Sequence, residues 1–251
     1  ENTHAENYRI NSFHLGEGSP KQKFRANMDA IYTLKTLENQ HRDATPEEQE
    51  TLANYVGWGG LADAFDAEKA AWTGEYKELK AALTEEEYAA ARASTLNAHY
   101  TSPTVIKAMY EALARMGFSA GNVLEPACGI GNFFGLVPES MVNSRFYGVE
   151  LDSITGRIAQ LLYPENQIAI QGFETADYPD HFFDVAIGNV PFGDYGIADQ
   201  WYDKHHFLIH DYFFAKTLDK VRPGGVVAFV TSSGTMDKKN PQVRKYLAQR
   251  A

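Results

Sequence analysis

Asn189, Val190, Pro191 and Phe192 stand just beyond the apolar run 183–187. A strand that stops in Asn-x-Pro-aromatic offers an amide oxygen, a backbone carbonyl held by the proline after it, and a flat ring. These three can grip a planar NH2 group and stack on the ring that carries it. That is what methyl transfer to a weakly nucleophilic amino nitrogen requires. Asn and Pro are also common turn residues, so the tetrad draws its weight from the motifs upstream.

Three such motifs stand at strand ends. Glu125-Pro126-Ala127-Cys128-Gly129-Ile130-Gly131 runs out of the segment 122–125 with glycines two apart. Glycines so placed let a backbone turn sharply and approach a ligand, although a plain tight turn gives the same pattern. Phe134 stands where the dinucleotide fingerprint needs its third glycine. With Glu125 present and no basic residue nearby, the loop suits a positively charged sulfonium cofactor with an amino-acid tail better than a pyrophosphate. Glu150 ends the next strand, where an acid can bind both hydroxyls of a ribose. After the third strand, Gly172-Phe173-Glu174 offers a ring for the cofactor's adenine and an acceptor for its amine; it reads equally as a core Phe and a loop Glu. Thr101-Ser102-Pro103 either caps a helix or presents hydroxyl and N–H groups to the cofactor's carboxylate.

The elements that must position these groups fall into two stretches. Residues 1–98 read as a helical N-terminal region. Thr45-Pro46-Glu47-Glu48 is an N-cap, a first-turn proline and a capping-box acid, and Thr84-Glu85-Glu86-Glu87 repeats the signal. Leu52, Tyr55 and Val56 lie at helical spacing before Gly57-Trp58-Gly59-Gly60, which breaks the helix and packs as a turn. From residue 99 the pattern changes. Ser102-Pro103 opens a helix to about 116 with Val105, Ile106, Met109, Tyr110 and Leu113 on one face. Strands are expected at 122–125, 146–150, 167–170, 183–188 and 226–231, with helices at 153–162, 205–221 and 240–250. Such alternation predicts an α/β fold with a mostly parallel sheet, whose ligands bind at the carboxyl ends of the strands.

The net charge of −10 argues against a general nucleic-acid binder. Two local basic clusters remain: Lys21, Lys23 and Arg25, and Lys238, Lys239, Arg244, Lys245 and Arg250. Both read first as solvated surface. Cys128 is the only cysteine, so no internal disulfide forms, which fits a reducing cytoplasm. No apolar run reaches membrane-spanning length. His205, His206 and His210 with Asp211 lack the cluster of ligands that a metal needs, so no metal is expected. Tyr195, Trp201 and Tyr202 either line a base pocket or belong to a loop over the site.

In this order the motifs of residues 99–251 resemble the gamma-type N6-adenine DNA methyltransferases that use S-adenosyl-L-methionine. The whole chain is similar to the methylase part of large methylase–helicase proteins of conjugative elements and phages, including Lys23-Phe24-Arg25-Ala26-Asn27 and Tyr55-Val56-Gly57-Trp58-Gly59-Gly60 in its helical front. The resemblance implies a Rossmann-like class I methyltransferase core over 99–251. It implies that Thr101, Glu125, Pro126, Ala127, Gly129, Gly131, Glu150, Leu151, Phe173 and Glu174 hold the cofactor. Asn189 and the Val190 carbonyl would accept from the adenine amine, Pro191 would fix the loop, and Phe192 would stack on an extruded base. It also implies a DNA substrate and a restriction-modification or mobile-element setting.

Three departures from the family pattern stand out. Val190 replaces the first of two prolines, losing one rigid φ. Gly172 replaces an acid, with Glu174 as a substitute. The family sheet normally adds two strands after the fifth; their absence here suggests a fragment of a longer protein and leaves strand 226–231 as an open edge. No phosphate-binding Gly-x-x-x-x-Gly-Lys-Ser/Thr occurs, so a helicase partner would lie outside this chain. Two rival functions stay open: methylation of a glutamine amide in a protein, and a cofactor- or DNA-binding module without turnover. Cytosine-C5 methylation needs a Pro-Cys nucleophile, whereas Cys128 lies in the glycine loop as a small buried residue.

Overall fold

Capping chemistry sets the helix starts. In the computed structural model, which describes residues 5–11, 16–96 and 101–251, Ser19 opens α1 (Pro20–Gln40), Thr45 opens α2 (Pro46–Ala53), and α3 spans Thr73–Ala82. Thr84 opens α4 (Glu85–Ala93). Each of the three capping residues makes a reciprocal box with the residue three positions on. Then follow α5 (Pro103–Arg115), β1 (Asn122–Glu125), α6 (Asn132–Gly135), β2 (Arg145–Glu150), α7 (Ser153–Leu162), β3 (Gln167–Ile170) and β4 (Phe183–Asn189). The chain continues through α8 (Ile209–Lys220), β5 (Val221–Val230), α9 (Gly234–Asp237) and α10 (Gln242–Ala248).

The chain divides into two units. The first comprises Glu1–Ser102, Gly129–Gly135 and Asp152–Glu165. Its core is aromatic: Phe24 meets Trp58 and Trp72 edge-on at 6.1 Å, and Trp58 meets Phe65 at 5.3 Å. Fully buried Asn27 donates to the Gly57 carbonyl (2.6 Å) and accepts from the Val56 N–H (2.8 Å). The two sequence motifs of the helical front are therefore one structural device, a helix side chain that clamps the Gly-Trp-Gly turn. Arg157 of α7 pairs with Glu38 and Glu87, and Tyr8 N–H donates to the Leu162 carbonyl. The first basic cluster is largely spent inside this unit: Lys21 pairs with Glu75, and Arg25 with Asp29 and Glu78.

The second unit comprises Pro103–Cys128, Leu136–Leu151 and Asn166–Ala251. It holds a five-stranded, all-parallel sheet in the order β3-β2-β1-β4-β5. This is the doubly wound order in which ligands lie beyond the carboxyl ends of the central strands. Among the described residues β5 is an open edge, as the sequence suggested. No described helix is long and apolar enough to cross a membrane.

Several sequence expectations shift. Strand β5 begins at Val221 rather than 226. The pairs Phe183↔Val221 and Val185↔Val226 show why: Arg222-Pro223-Gly224-Gly225 bulges out of the ladder, and the sequence signals only the turn. On α5, Ile106, Tyr110 and Leu113 are buried, but Val105 lies 42% exposed, one position off the stripe. Helix α8 starts at Ile209, so His206, in a left-handed conformation at φ 51°, shares no helix face with His210.

Candidate functional site

The second unit brings three of the expected residues to one rim of its sheet. Glu125 ends β1, Glu150 ends β2 and Asn189 ends β4, on three adjacent parallel strands. The register places Glu125 opposite Gly148, two residues short of Glu150. It places Leu124 opposite Ala186, three residues short of Asn189. Gly188 makes room for the neighbouring acid: a Cβ there would lie 3.0 Å from Glu125 Cγ.

Glu125 is 2% exposed, and its Oε2 has no hydrogen-bond partner. Burial pushes its carboxyl well above the ordinary carboxylate range, and the Glu150 charge adds to the shift. Burial also raises Tyr110 and Cys128, with Glu125 as the second cause of each. Cys128 is held by its backbone N–H, which donates to the Val149 carbonyl (2.9 Å). Its buried thiol, displaced toward the neutral form, is a packing group and not a nucleophile. A buried acid with a spare oxygen and a second acid beside it is chemically matched to a cationic ligand carrying N–H and O–H donors. Leu151, directly after Glu150, is 75% exposed, an apolar side chain beside that acid with no cover in this unit.

Pro126 and Ala127 continue from β1 within the same unit. Gly129 (φ 56°) and Gly131 (φ 88°) adopt the left-handed conformation that glycine allows. They belong to the first unit, where a Cβ on Gly131 would lie 2.5 Å from the Tyr163 ring. Thr101, half-buried, also belongs to the first unit.

After β3, the Phe173 ring lies in the core, 3% exposed, 5.1 Å from Phe213 and 6.3 Å from Tyr212. Its side chain is committed to packing, which is the plainer of the two sequence readings. Glu174 folds back over Gly172: a side chain on Gly172 would collide with the Glu174 carboxylate. The Glu174 carboxylate thus occupies the space beside Gly172.

At the tetrad, Val190 is 1% exposed and its N–H donates to the Val230 carbonyl (3.1 Å). A proline could not make that bond. Val190 is therefore fixed by a ladder bond to β5 and by a buried side chain. Asn189, Pro191 and Phe192 are each half-buried at the rim.

Sequence reading missed one group of residues. Asp199, 7% exposed, accepts from the Tyr212 hydroxyl (2.7 Å), the Trp201 N–H (3.1 Å) and Lys216 Nζ (3.2 Å). Lys216 also donates to the Glu174 carbonyl (3.0 Å). The signal was there in part: Lys216 follows Ile209, Tyr212 and Phe213 on the buried stripe of α8, and a lysine in that place needs a buried acceptor. Among the described residues no cluster of His, Cys, Asp and Glu could hold a metal.

The sequence profile of the N-6 DNA methylase family matches residues 83–251. The chain belongs to the N-6 DNA methylase family. S-adenosyl-L-methionine is the cofactor that goes with this family, and the spare Glu125 oxygen and the acid pair fit its cationic, donor-rich character. Among relatives of the N-6 methylase chain, Defense against restriction protein B of Escherichia phage P1 is 27% identical over 242 residues, 94% of this chain and 9% of that protein. Type II methyltransferase M.CvrRI of Paramecium bursaria Chlorella virus XZ-6E is 39% identical over 75 residues, 30% of this chain and 19% of that one. The chain thus spans only a small part of either relative. A Listeria monocytogenes structure assigned to the class I S-adenosylmethionine-dependent methyltransferases overlays with a TM-score of 0.49 at 14% identity, covering 90% of this chain and 78% of that one.

Proposed function

We propose that this chain transfers a methyl group from S-adenosyl-L-methionine to the exocyclic N6 of adenine in duplex DNA, by direct displacement on a flipped-out base. The observation that carries this reading is the placement of Asn189 at the end of β4, beside the buried acid at the end of β1. Residues 99–251 would form the methyltransferase core, with 1–98 as its helical N-terminal region. The whole would act within a longer protein, which the far greater length of the phage relative supports; a helicase as companion rests on the sequence resemblance alone.

When bound, the cofactor supplies an electrophilic methyl group. The chain's own residues do the rest. Glu125, Pro126, Ala127, Glu150, Leu151 and Glu174 would hold and orient it, with Phe173 supporting Glu174 from the core; for Thr101, Gly129 and Gly131 the same role rests on the sequence resemblance. The adenine amine is a poor nucleophile because its lone pair is delocalised into the ring. The Asn189 side-chain oxygen and the Val190 carbonyl would each accept one of its hydrogens. That favours a pyramidal nitrogen and stabilises the positive charge that develops there. No general base is needed at the transition state; in-line alignment supplies much of the remaining acceleration. Extruding the base costs a few kcal/mol, and stacking on Phe192 would offset roughly 1–3 kcal/mol.

The experiment is transfer of a tritiated methyl group to unmethylated duplex DNA, with Asn189→Ala and a release-factor glutamine substrate in parallel. Labelled N6-methyladenine that depends on Asn189 is the expected result. Label in the glutamine substrate alone would move the site to protein methylation. Cofactor binding without transfer to either would leave a binding module.

A further inference from the structure

The segment after the tetrad presents aromatic rings to solvent on a tightly held loop. Trp201 is 75% exposed and Tyr195 48%. The Tyr195 ring lies against Gly193, one residue past Phe192: a Cβ on Gly193 would stand 2.6 Å from Tyr195 Cε1. The Tyr195 carbonyl accepts from the Ile209 N–H (2.8 Å), which ties the loop to the start of α8. Further along, Asp199 receives the Trp201 N–H, and its own N–H donates to Asp203 Oδ1 (2.8 Å). Asp199 is anchored from beneath by Tyr212 and Lys216, both buried. Tyr202, next to Trp201, donates its hydroxyl to Asp219.

Buried ion pairs add little net stability, and their best-attested use is to specify one geometry. Here the geometry specified is the backbone under an exposed indole. Holding it in advance reduces the ordering cost of any contact the ring makes. The loop leaves directly from Asn189–Phe192, and it carries exposed Lys204 three residues past the indole, a cation within reach of a phosphate.

We infer that Trp201 is a DNA-contacting residue whose indole stacks on a base face opened in the duplex beside the target nucleotide, presented by the Asp199–Lys216 pair. This rests on the proposed function and adds a recognition surface to it. Flipping one base out breaks the stack and exposes the faces of its neighbours. Every base has such a face, so this contact favours the opened duplex without reading sequence.

The protein carries its own reporter. Of its three tryptophans, Trp58 is 2% exposed and Trp72 8%, so the iodide-accessible indole emission belongs to Trp201. The full chain is titrated with unmethylated duplex DNA of mixed sequence in the presence of a non-reactive cofactor analogue, and iodide-accessible emission is followed. Quenching and iodide protection are expected. Trp201→Ala should bind duplex about tenfold more weakly, the worth of one stack, while Trp201→Phe, which keeps a ring, stays within about threefold and cofactor affinity is unchanged in both. DNA binding with a silent, iodide-accessible indole overturns the inference and leaves the proposed function standing, as does a Trp201→Ala variant that binds like the parent. Quenching by a protein substrate and not by DNA overturns both.

Discussion

Asp199 and Glu125 are two carboxyls buried in the same unit, and the fold treats them in opposite ways. Asp199 is surrounded by a hydroxyl, a backbone N–H and an ammonium. Burial works against its ionisation, yet the Tyr212 hydroxyl, the Trp201 N–H and the Lys216 charge together hold it below the usual range. Glu125 has a spare oxygen and a second acid for a neighbour, and is displaced the other way. A buried charge that is part of the scaffold comes with its counter-charge and hydrogen bonds. A buried acid left short of donors is completed by a proton or by a ligand.

Breaking the satisfied carboxyl should have the largest effect. Lys216→Met leaves Asp199 buried and uncompensated and should cost about 3–5 kcal/mol in urea unfolding. The double variant Asp199→Asn/Lys216→Met should cost less than the two single losses added together, because the partners are coupled. At the other end of the comparison, Asn189→Ala should lower methyl transfer about 100- to 1,000-fold, the worth of one preorganised hydrogen-bonding group at a reacting centre. Its melting temperature and cofactor affinity should stay close to the parent's.

Glu125 sharpens the contrast through pH. Its carboxyl is raised in the folded state. It therefore contributes stability that is fully present below the ordinary carboxylate value of about 4.3 and is lost as pH rises through the higher folded value. Glu125→Gln should be more stable than the parent at pH 8, with no difference near pH 4. It should also bind S-adenosyl-L-methionine more weakly, by about tenfold. Because a cation favours the ionised acid, cofactor binding should release up to about one proton, seen as buffer-dependent heats in calorimetry; Glu125→Gln should abolish that release. Asp199 has the opposite sign: its contribution is present above the unfolded value and is lost as pH falls below about 3.9. The smallest effect belongs to a pair outside the comparison. Arg115 and Glu111, 78% and 63% exposed, form an i,i+4 bridge on α5, and Arg115→Ala should change unfolding by less than about 0.5 kcal/mol.

Much of the second unit was legible in the sequence because its signals are local. The segments 122–125, 153–162 and 167–170 match β1, α7 and β3 to the residue. They were bounded by glycines, capping acids and abrupt changes of hydrophobic period, which act over a few residues. The spacing of Gly129 and Gly131 likewise signalled a sharp backbone turn, which the structure makes with both at positive φ. The start of β5 was hidden because Pro223-Gly224-Gly225 signals a turn, while the ladder simply resumes beyond it. The buried stripe of α8 hinted that Lys216 needs an acceptor, but its partner Asp199 could not be named, because the two lie 17 residues apart and neither belongs to a motif. The hydrogen bond that fixes Val190 was hidden because Val190 and Val230 meet only when β4 and β5 pair.

By itself the sequence determined the order of strands and helices, the caps, the sharp glycine turn and the position of Asn-Val-Pro-Phe at a strand end. These follow from backbone sterics and periodicity, which neighbouring residues settle among themselves. The tertiary structure alone decided that Glu125 lacks a donor while Asp199 has three, that Phe173 belongs to the core, and that Val190 is pinned to β5. Desolvation and hydrogen-bond satisfaction depend on which distant groups close around an atom, and chain neighbours do not carry that information.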